Sequence, residues 1–162
     1  MALPKRKLNR LSGYDYSTCG AYFITICTQN RENLFWETVG ATFGRPNDTE
    51  YLSKNGYIVD AEIKKIRKIY NDTVAVDKYV IMPNHIHMII VLQKDGGRPK
   101  VAPTISCVIQ QFKGSITKQI GFSPWQKLFH DHVIRNEHDY EAVWQYIDEN
   151  PLKWKNDCYY EP

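Results

Sequence analysis

The order of periodic segments in this 162-residue chain predicts an α+β domain built as βαββαβ, an antiparallel sheet with an additional carboxy-terminal helix. Three observations carry that expectation. Runs rich in β-branched and aromatic residues occur at YFITICT, VAVDKYVIM and HIHMIIVL, as strands require. Two stretches with apolar residues three and four apart separate them. A further short strand and a further helix follow. Two helices over one face of an antiparallel sheet satisfy this order and leave the opposite face for a ligand or for the last helix.

Taken in order, residues 22–28 read as a buried first strand and residues 33–39 as a short ribbon that extends or pairs with it. The stretch GATFGRPN, residues 40–47, reads as a loop from its glycines and proline. Helical periodicity begins after Gly56, with Val59, Ile63, Ile66 and Tyr70 as the apolar stripe and Lys64, Lys65, Arg67 and Lys68 on a solvated surface. Asn71 and Asp72 close that helix. Two strands follow, joined or bulged at Pro83 and Asn84. QKDGGRPKVAP is turn and loop by composition. Thr104 then caps a second helix with Ile105, Val108, Ile109, Phe112 and Ile116 on one face, weakened at Gly114 by about 1 kcal/mol relative to alanine. FHDHVIR fits a fourth strand. Asn136 caps the last helix, Asp139 favours its amino end, and Pro151 ends it.

The length suits one domain with one main core. Lys and Arg outnumber Asp and Glu by 21 to 18, a formal charge of +3, which neither demands nor excludes nucleic acid. The distribution says more. Lys5, Arg6, Lys7 and Arg10 stand without an acid among the first ten residues, and Tyr14 and Tyr16 follow. A basic arm with stacking rings suits nucleic acid, and equally a solubilising tail. The four cysteines lack C-x-x-C spacing and read as free thiols of a reducing compartment, with Cys27 and Cys107 as small core fillers. No run approaches the roughly 18 apolar residues of a membrane span, so a cytoplasmic protein is expected.

His85 and His87 are two apart on a strand and emerge on one side of the sheet, with Ile86 and Met88 on the other. Two such imidazoles suit two ligands of one metal. They suit surface or hydrogen-bonded histidines as well. On the last helix, Tyr140, Val143, Trp144 and Ile147 share a face, while Tyr146 projects roughly 120° from its centre. Asn150 lies one turn beyond on nearly the same side. That pair can present a nucleophile and a third metal ligand together, or a half-exposed aromatic and a helix terminator. His130 and His132 repeat the spacing of His85 and His87 and offer a competing four-histidine site. Here His132 is read as a nearby residue that orients a ligand or positions substrate and His130 as a surface one.

The basic start leading into GYDY, then YFITICTQNR, VIMPNHIHMIIVL and WQKLFHDHVIRNEHDYEAVWQYIDENPLKW together resemble the REP-associated tyrosine transposases. These belong to the HUH superfamily and are related to the small tyrosine transposases of single-strand insertion sequences. The resemblance spans residues 5–156 and implies a ferredoxin-like sheet with a nucleophile-bearing carboxy-terminal helix. It implies Tyr146 as nucleophile, with His85, His87 and Asn150 holding a divalent ion, Mg²⁺ or Mn²⁺; two imidazoles favour Mn²⁺. The partner it implies is single-stranded DNA with palindromic hairpins. Lys5, Arg6, Lys7 and Arg10 would meet unpaired DNA, Lys113 and Lys118 its phosphates, and Tyr14 or Tyr16 its bases. The same reading divides the chain into a basic arm (1–20), a catalytic domain (21–156) and a short tail (157–162), in a cytoplasmic monomer or homodimer associated with nucleoid DNA. Residues 36–50 and His130 receive no role. Two other functions stay open: a hairpin-binding protein with little cleavage, and a small hydrolase using all four histidines.

Overall fold

The segment His85–Leu92 is apolar on both sides apart from its two histidines, a composition that suits a strand covered on both edges and both faces. It takes that place as strand β3 in a computed structural model that describes residues 13–37, 51–93 and 103–161. Strands β1 (Gly20–Cys27) and β2 (Val74–Ile81) flank it, and β4 (His130–Ile134) pairs with the outer edge of β1. All pairings are antiparallel and the order is β2-β3-β1-β4. With helices α1 (Lys54–Ile69), α2 (Ile105–Ile120) and α3 (Glu137–Glu149), this is the expected βαββαβ, ferredoxin-like sheet with an extra helix.

Each α-helix begins on a side-chain cap. Thr104 accepts from Cys107 N and Asn136 from Asp139 N, as their positions before the apolar stripes predict. The cap of α1 is Ser53, which accepts from Gly56 N, so this helix starts before Gly56 rather than after it. Gly56 sits inside the first turn because the chain comes too close for a side chain there: a Cβ would lie 2.2 Å from the carbonyl oxygen of Phe35. Pro151 does stop α3, but the chain turns on into a 3-10 helix, Asn150–Asn156, with the proline in its first turn. In the described part of the ribbon expected over residues 33–39, which ends at residue 37, Trp36 makes an isolated bridge to Leu52. The expected loop at 40–47 and most of QKDGGRPKVAP lie outside the described residues.

Register assigns the two faces. Ile24, Ile26, Ile86, Met88 and Ile90 point to one side, where they pack with Val59, Ile63 and Ile66 of α1 and Ile105, Val108, Ile109, Phe112 and Ile116 of α2. On that side Tyr79 donates to Asp60 of α1 at 2.5 Å. The other side carries Phe23, Thr25, His87, Lys78 and Val80, and α3 covers its β2–β3 half. Lys78 pairs there with Asp148 at 2.9 Å, and its ammonium lies 4.0 Å from the centroid of Trp144. Between Val76 and Lys78 the β2 ladder shifts by one residue, and the extra residue, Asp77, accepts from the Tyr140 hydroxyl of α3 at 3.0 Å.

Some packing expectations need correction. Trp144 is 40% exposed and covered by a lysine instead of joining the core stripe. Cys107 is exposed, because α2 turns 105, 108, 109 and 112 inward and 107 out; Cys27 is buried as expected. All four cysteines are free. No helix among the described residues is long and apolar enough to cross a membrane.

Helices α1 and α2 are joined through a buried carboxylate. Glu62 accepts from Lys65 Nζ at 2.8 Å, Ser115 Oγ at 2.9 Å and Gln119 Nε2 at 2.8 Å. Burial works to raise its pKa, but the three donors outweigh it and hold the carboxyl below its ordinary value. Glu62→Ala should cost about 1–3 kcal/mol in urea denaturation at neutral pH, by removing the charged acceptor that ties Ser115 and Gln119 of α2 to α1. Because the folded pKa is depressed, that advantage is present above the ordinary glutamate range. It should vanish as the pH falls through the folded value.

Candidate metal and tyrosine centre

The sheet brings His85 and His87 onto the face beneath α3, and both are buried. Their rings stand 4.5 Å apart, centroid to centroid. Each ring is held through Nδ1. His87 Nδ1 meets Thr25 Oγ1 at 2.8 Å across the β1–β3 ladder. His85 Nδ1 meets Asn84 Oδ1 at 2.8 Å, and the Asn84 amide nitrogen donates to the carbonyls of Tyr159 (2.6 Å) and Arg31 (3.4 Å). Since the amide nitrogen is committed to two acceptors, Oδ1 accepts, His85 carries its proton on Nδ1, and Nε2 presents a lone pair.

The Nε2 atoms of both histidines are buried without a hydrogen-bond partner, and so is Oδ1 of Asn150. Buried polar atoms of this kind demand an explanation. Here the explanation is a shared one, because a carboxylate joins them. Asp157 Oδ2 lies 3.9 Å from His85 Nε2, and ligand atoms of His85, His87 and Asp157 all fall within 4.8 Å of one another. The group can hold a metal ion, and a donor set mixing imidazole nitrogen with carboxylate and amide oxygen suits a divalent cation. Burial drives His87 down to about 3. Burial does the same to His85, reinforced by His87, while the nearby Asn150 side chain opposes it. Both imidazoles are thus neutral at physiological pH, the form that ligates.

Tyr146 projects from α3 over this group. Its ring lies 5.3 Å from that of His87 and 6.0 Å from that of Phe23, edge to face, and it remains 44% exposed. Partial burial and the Asp157 carboxylate raise its pKa, while Asn150 acts in the opposite sense. The residue on the off-core side of α3 is therefore a protonated, accessible phenol beside a ligand group, with Asn150 one turn on and buried. The structure places Tyr146 beside His87 and Asn150 near both His85 and Tyr146.

Several groups were missed. Asn84 and Thr25 fix the two Nδ1 atoms, the part expected of His132. Asp157 and Tyr159 come from the segment read as a tail, which folds back so that the Tyr159 ring lies 4.5 Å from that of His85. Burial pushes the Tyr159 phenol up to about 12. Asn84 stands in the quoted PNHIH block and could have been found as a partner of the adjacent histidine; nothing in the sequence marks Asp157.

Other expected residues lie elsewhere. His132 pairs with Asp139 at 2.8 Å, and it and His130 stand on β4, separated from His87 by β1; His130 is exposed, as expected. Among the described residues the ligand group joins Asp157 to the pair, not the second pair of histidines, so a four-histidine site does not form. Tyr14 and Tyr16 are half-buried against Tyr22 on the helix side of the sheet, their rings 5.0 Å apart, and so pack on one another. Lys113 is not a free phosphate ligand: its ammonium donates to the Gln126 carbonyl at 3.0 Å, and burial lowers its pKa. Lys118 is exposed on α2. Lys5, Arg6, Lys7 and Arg10 lie outside the described residues.

Fold and site together define an α+β protein with a ferredoxin-like sheet, a histidine–carboxylate group on one sheet face and a tyrosine-bearing helix above it. The chain belongs to one family with an uncharacterized protein of Haemophilus influenzae, to which it is 30% identical over 175 residues, covering 96% of this chain and 93% of that protein. No family model matches the sequence. Among solved structures, that of a REP-associated tyrosine transposase bound to a REP hairpin is similar, with a TM-score of 0.58 and 24% identity over 88% of this chain and 74% of the other. The fold is shared with that protein.

Added Mn²⁺ should raise the melting temperature of the wild-type protein, by an amount equivalent to about 2.7 kcal/mol at a hundred times the dissociation constant. The double variant His85→Ala, His87→Ala should show no such rise, and Asp157→Asn a smaller one, in a thermal-shift titration. Without metal, the unfolded chain takes up a proton at the ordinary imidazole value near 6.5, whereas folded His87 does so only at about 3. Stability should therefore fall as the pH drops through that window, by up to about 1.4 kcal/mol per pH unit for each such histidine. Urea midpoints of His87→Gln should show a shallower slope.

Proposed function

We propose that the chain is a REP-associated tyrosine transposase: a metal-dependent single-strand DNA endonuclease and strand transferase that acts at hairpin-forming palindromes through a 5′-phosphotyrosine on Tyr146. One observation carries the reading. Three buried ligand atoms without partners, on His85, His87 and Asn150, converge beneath a half-exposed tyrosine on the adjoining helix. A plain hydrophobic core has no use for such a set.

His85, His87 and Asn150, with Asp157, would hold the divalent ion, Mn²⁺ or Mg²⁺. Once bound, such an ion neutralises charge on phosphate oxygens and favours the phenolate. The protein's own groups do the rest. Thr25 and Asn84 keep both Nε2 atoms aimed at the site. Helix α3, fastened to β2 through Lys78–Asp148, holds the Tyr146 ring beside that of His87. The oxygen attacks phosphorus in line; the new P–O bond to tyrosine forms as the P–O3′ bond breaks, the phenol proton passes to solvent, and the departing 3′ oxygen is protonated. One phosphodiester replaces another. The 3′-hydroxyl of a second strand reverses the exchange, rejoining DNA and restoring the phenol without a nucleotide cofactor. With one tyrosine per centre, cuts occur in sequence in a monomer or are shared in a homodimer.

The basic arm, residues 1–20, and Lys118 are assigned to phosphate contact, with salt-dependent affinity. Residues 21–156 form the catalytic domain, to which the structure of the last residues adds Asp157 and Tyr159 as neighbours of His85. The protein acts in the cytoplasm on nucleoid DNA.

Incubation with labelled single-stranded hairpin DNA and Mn²⁺ should give a denaturation-resistant adduct that peptide mass spectrometry maps to Tyr146. Tyr146→Phe should reduce its formation by at least about a thousandfold, and a chelator should abolish it. Tight hairpin binding with no adduct would make this a binding protein that keeps the site without the cleavage. Neither binding nor adduct would overturn the reading altogether.

A further inference from the structure

Trp154 is 4% exposed, and its indole Nε1 is buried without a hydrogen-bond partner among the described residues. The other two buried tryptophans give theirs to the backbone: Trp36 donates to the Ile81 carbonyl at 2.7 Å and Trp125 to the Lys113 carbonyl at 3.2 Å. An indole nitrogen can only donate. A buried donor left unpaired is destabilising, and native proteins keep few of them.

Position ties this donor to the centre. The 3-10 helix Asn150–Asn156 buries two residues, Asn150 and Trp154. Just beyond it, Asp157 N donates to the Trp154 carbonyl at 3.0 Å. The tryptophan thus stands in the chain between the amide and the carboxylate that this segment brings to His85, and its own ring lies 5.9 Å from the His85 ring. Tyr160, at 5.2 Å, and Trp36, at 6.3 Å, are its other aromatic neighbours.

The unpartnered atoms divide by chemistry. Nε2 of His85, Nε2 of His87 and Oδ1 of Asn150 offer lone pairs and suit a cation. Nε1 of Trp154 carries a hydrogen, repels a cation and calls for an electron-rich oxygen. A divalent ion on these ligands completes its shell with such oxygens, from water or from a phosphodiester. The protein's remaining unpartnered acceptors serve the indole less well. Asp131 stands opposite Ile24 and so faces the helix side of the sheet. Asn33 Oδ1 makes no bond to Trp154, and its amide nitrogen is directed to the Glu161 carbonyl at 3.2 Å.

We infer that Trp154 is a positioning residue of the centre. Its indole N–H donates to an oxygen atom, of water or of a phosphodiester, in the coordination shell of the ion held by His85, His87, Asn150 and Asp157. The cation and the anionic oxygen are then each met by a buried group of fitting sign. The inference rests on the metal reading above and adds a donor to a site so far made of acceptors.

Two substitutions isolate the donor. Trp154→Phe removes the N–H with part of the ring, whereas benzothienylalanine at position 154 puts sulfur in place of the N–H and keeps the shape. With dimethyl phosphate present and free Mn²⁺ counted by electron paramagnetic resonance, both should weaken Mn²⁺ binding about 10- to 100-fold. In ¹⁵N-indole spectra of the wild-type protein, the Trp154 signal, assigned through its proximity to Tyr160 and His85, should move as metal is added. A shift with Mg²⁺ alone identifies water as the acceptor; one that needs dimethyl phosphate as well identifies the phosphodiester. A benzothienyl protein that binds Mn²⁺ as tightly as wild type, or a Trp154 signal indifferent to both additions, would overturn the assignment and leave the N–H to a water beside Asn33, while the metal centre stands. A wild-type protein that binds no Mn²⁺ would remove the metal centre and this inference with it.

Discussion

Two imidazoles buried side by side in a β-sheet set the terms for everything around them. In a strand with period two, His85 and His87 necessarily share a face, and a shared buried face leaves four ring nitrogens to satisfy. Thr25, from the neighbouring strand, and Asn84, from the hairpin turn, take one nitrogen each. The other two stay open. Asn84 can serve only because its amide nitrogen is anchored to the carbonyls of Arg31 and Tyr159. The orientation of the His85 imidazole therefore depends on chain segments far apart in sequence, which meet at the end of the sheet.

The same requirement explains the placement of α3. A neutral ligand pair driven to low pKa by burial needs a cover, and the helix supplies one while keeping its own tyrosine half in solvent. Covering only the β2–β3 half of the face matters as much. It leaves Phe23 beside Tyr146, with β4 and its two histidines along the uncovered side.

Nearly all of the architecture was legible, because it is written in local signals. Thr104 and Asn136 precede apolar stripes at the right spacing, and HIHMIIVL alternates only at its histidines. Tyr146 could be singled out because it falls off the packing stripe of one helix, and Asn150 because it stands one turn beyond Tyr146. What was not legible arises from contacts between distant segments. The start of α1 was misplaced because a glycine that normally breaks a helix is here demanded by the carbonyl of Phe35. Trp144 reads as core until Lys78 is found lying on it. Asp157 follows a proline that ends the helix, and only the 3-10 turn after that proline swings it back to His85. Lys113 and Tyr14 have the composition of DNA contacts, but their positions give them partners within the protein.

The irregularity at Asp77 is easily passed over, yet the alternation of β2 changes phase there. Before it, Val74 and Val76 look toward α1 and α2; after it, Tyr79 and Ile81 do so, while Lys78 and Val80 look toward α3. One surplus residue thus lets a single strand address both layers with suitable chemistry, a phenol for Asp60 and an ammonium for Asp148. A ladder that counted Asp77 as an ordinary position, opposite Ile89, would turn the lysine toward the aliphatic layer, and the helix that carries Tyr146 would lose its mooring.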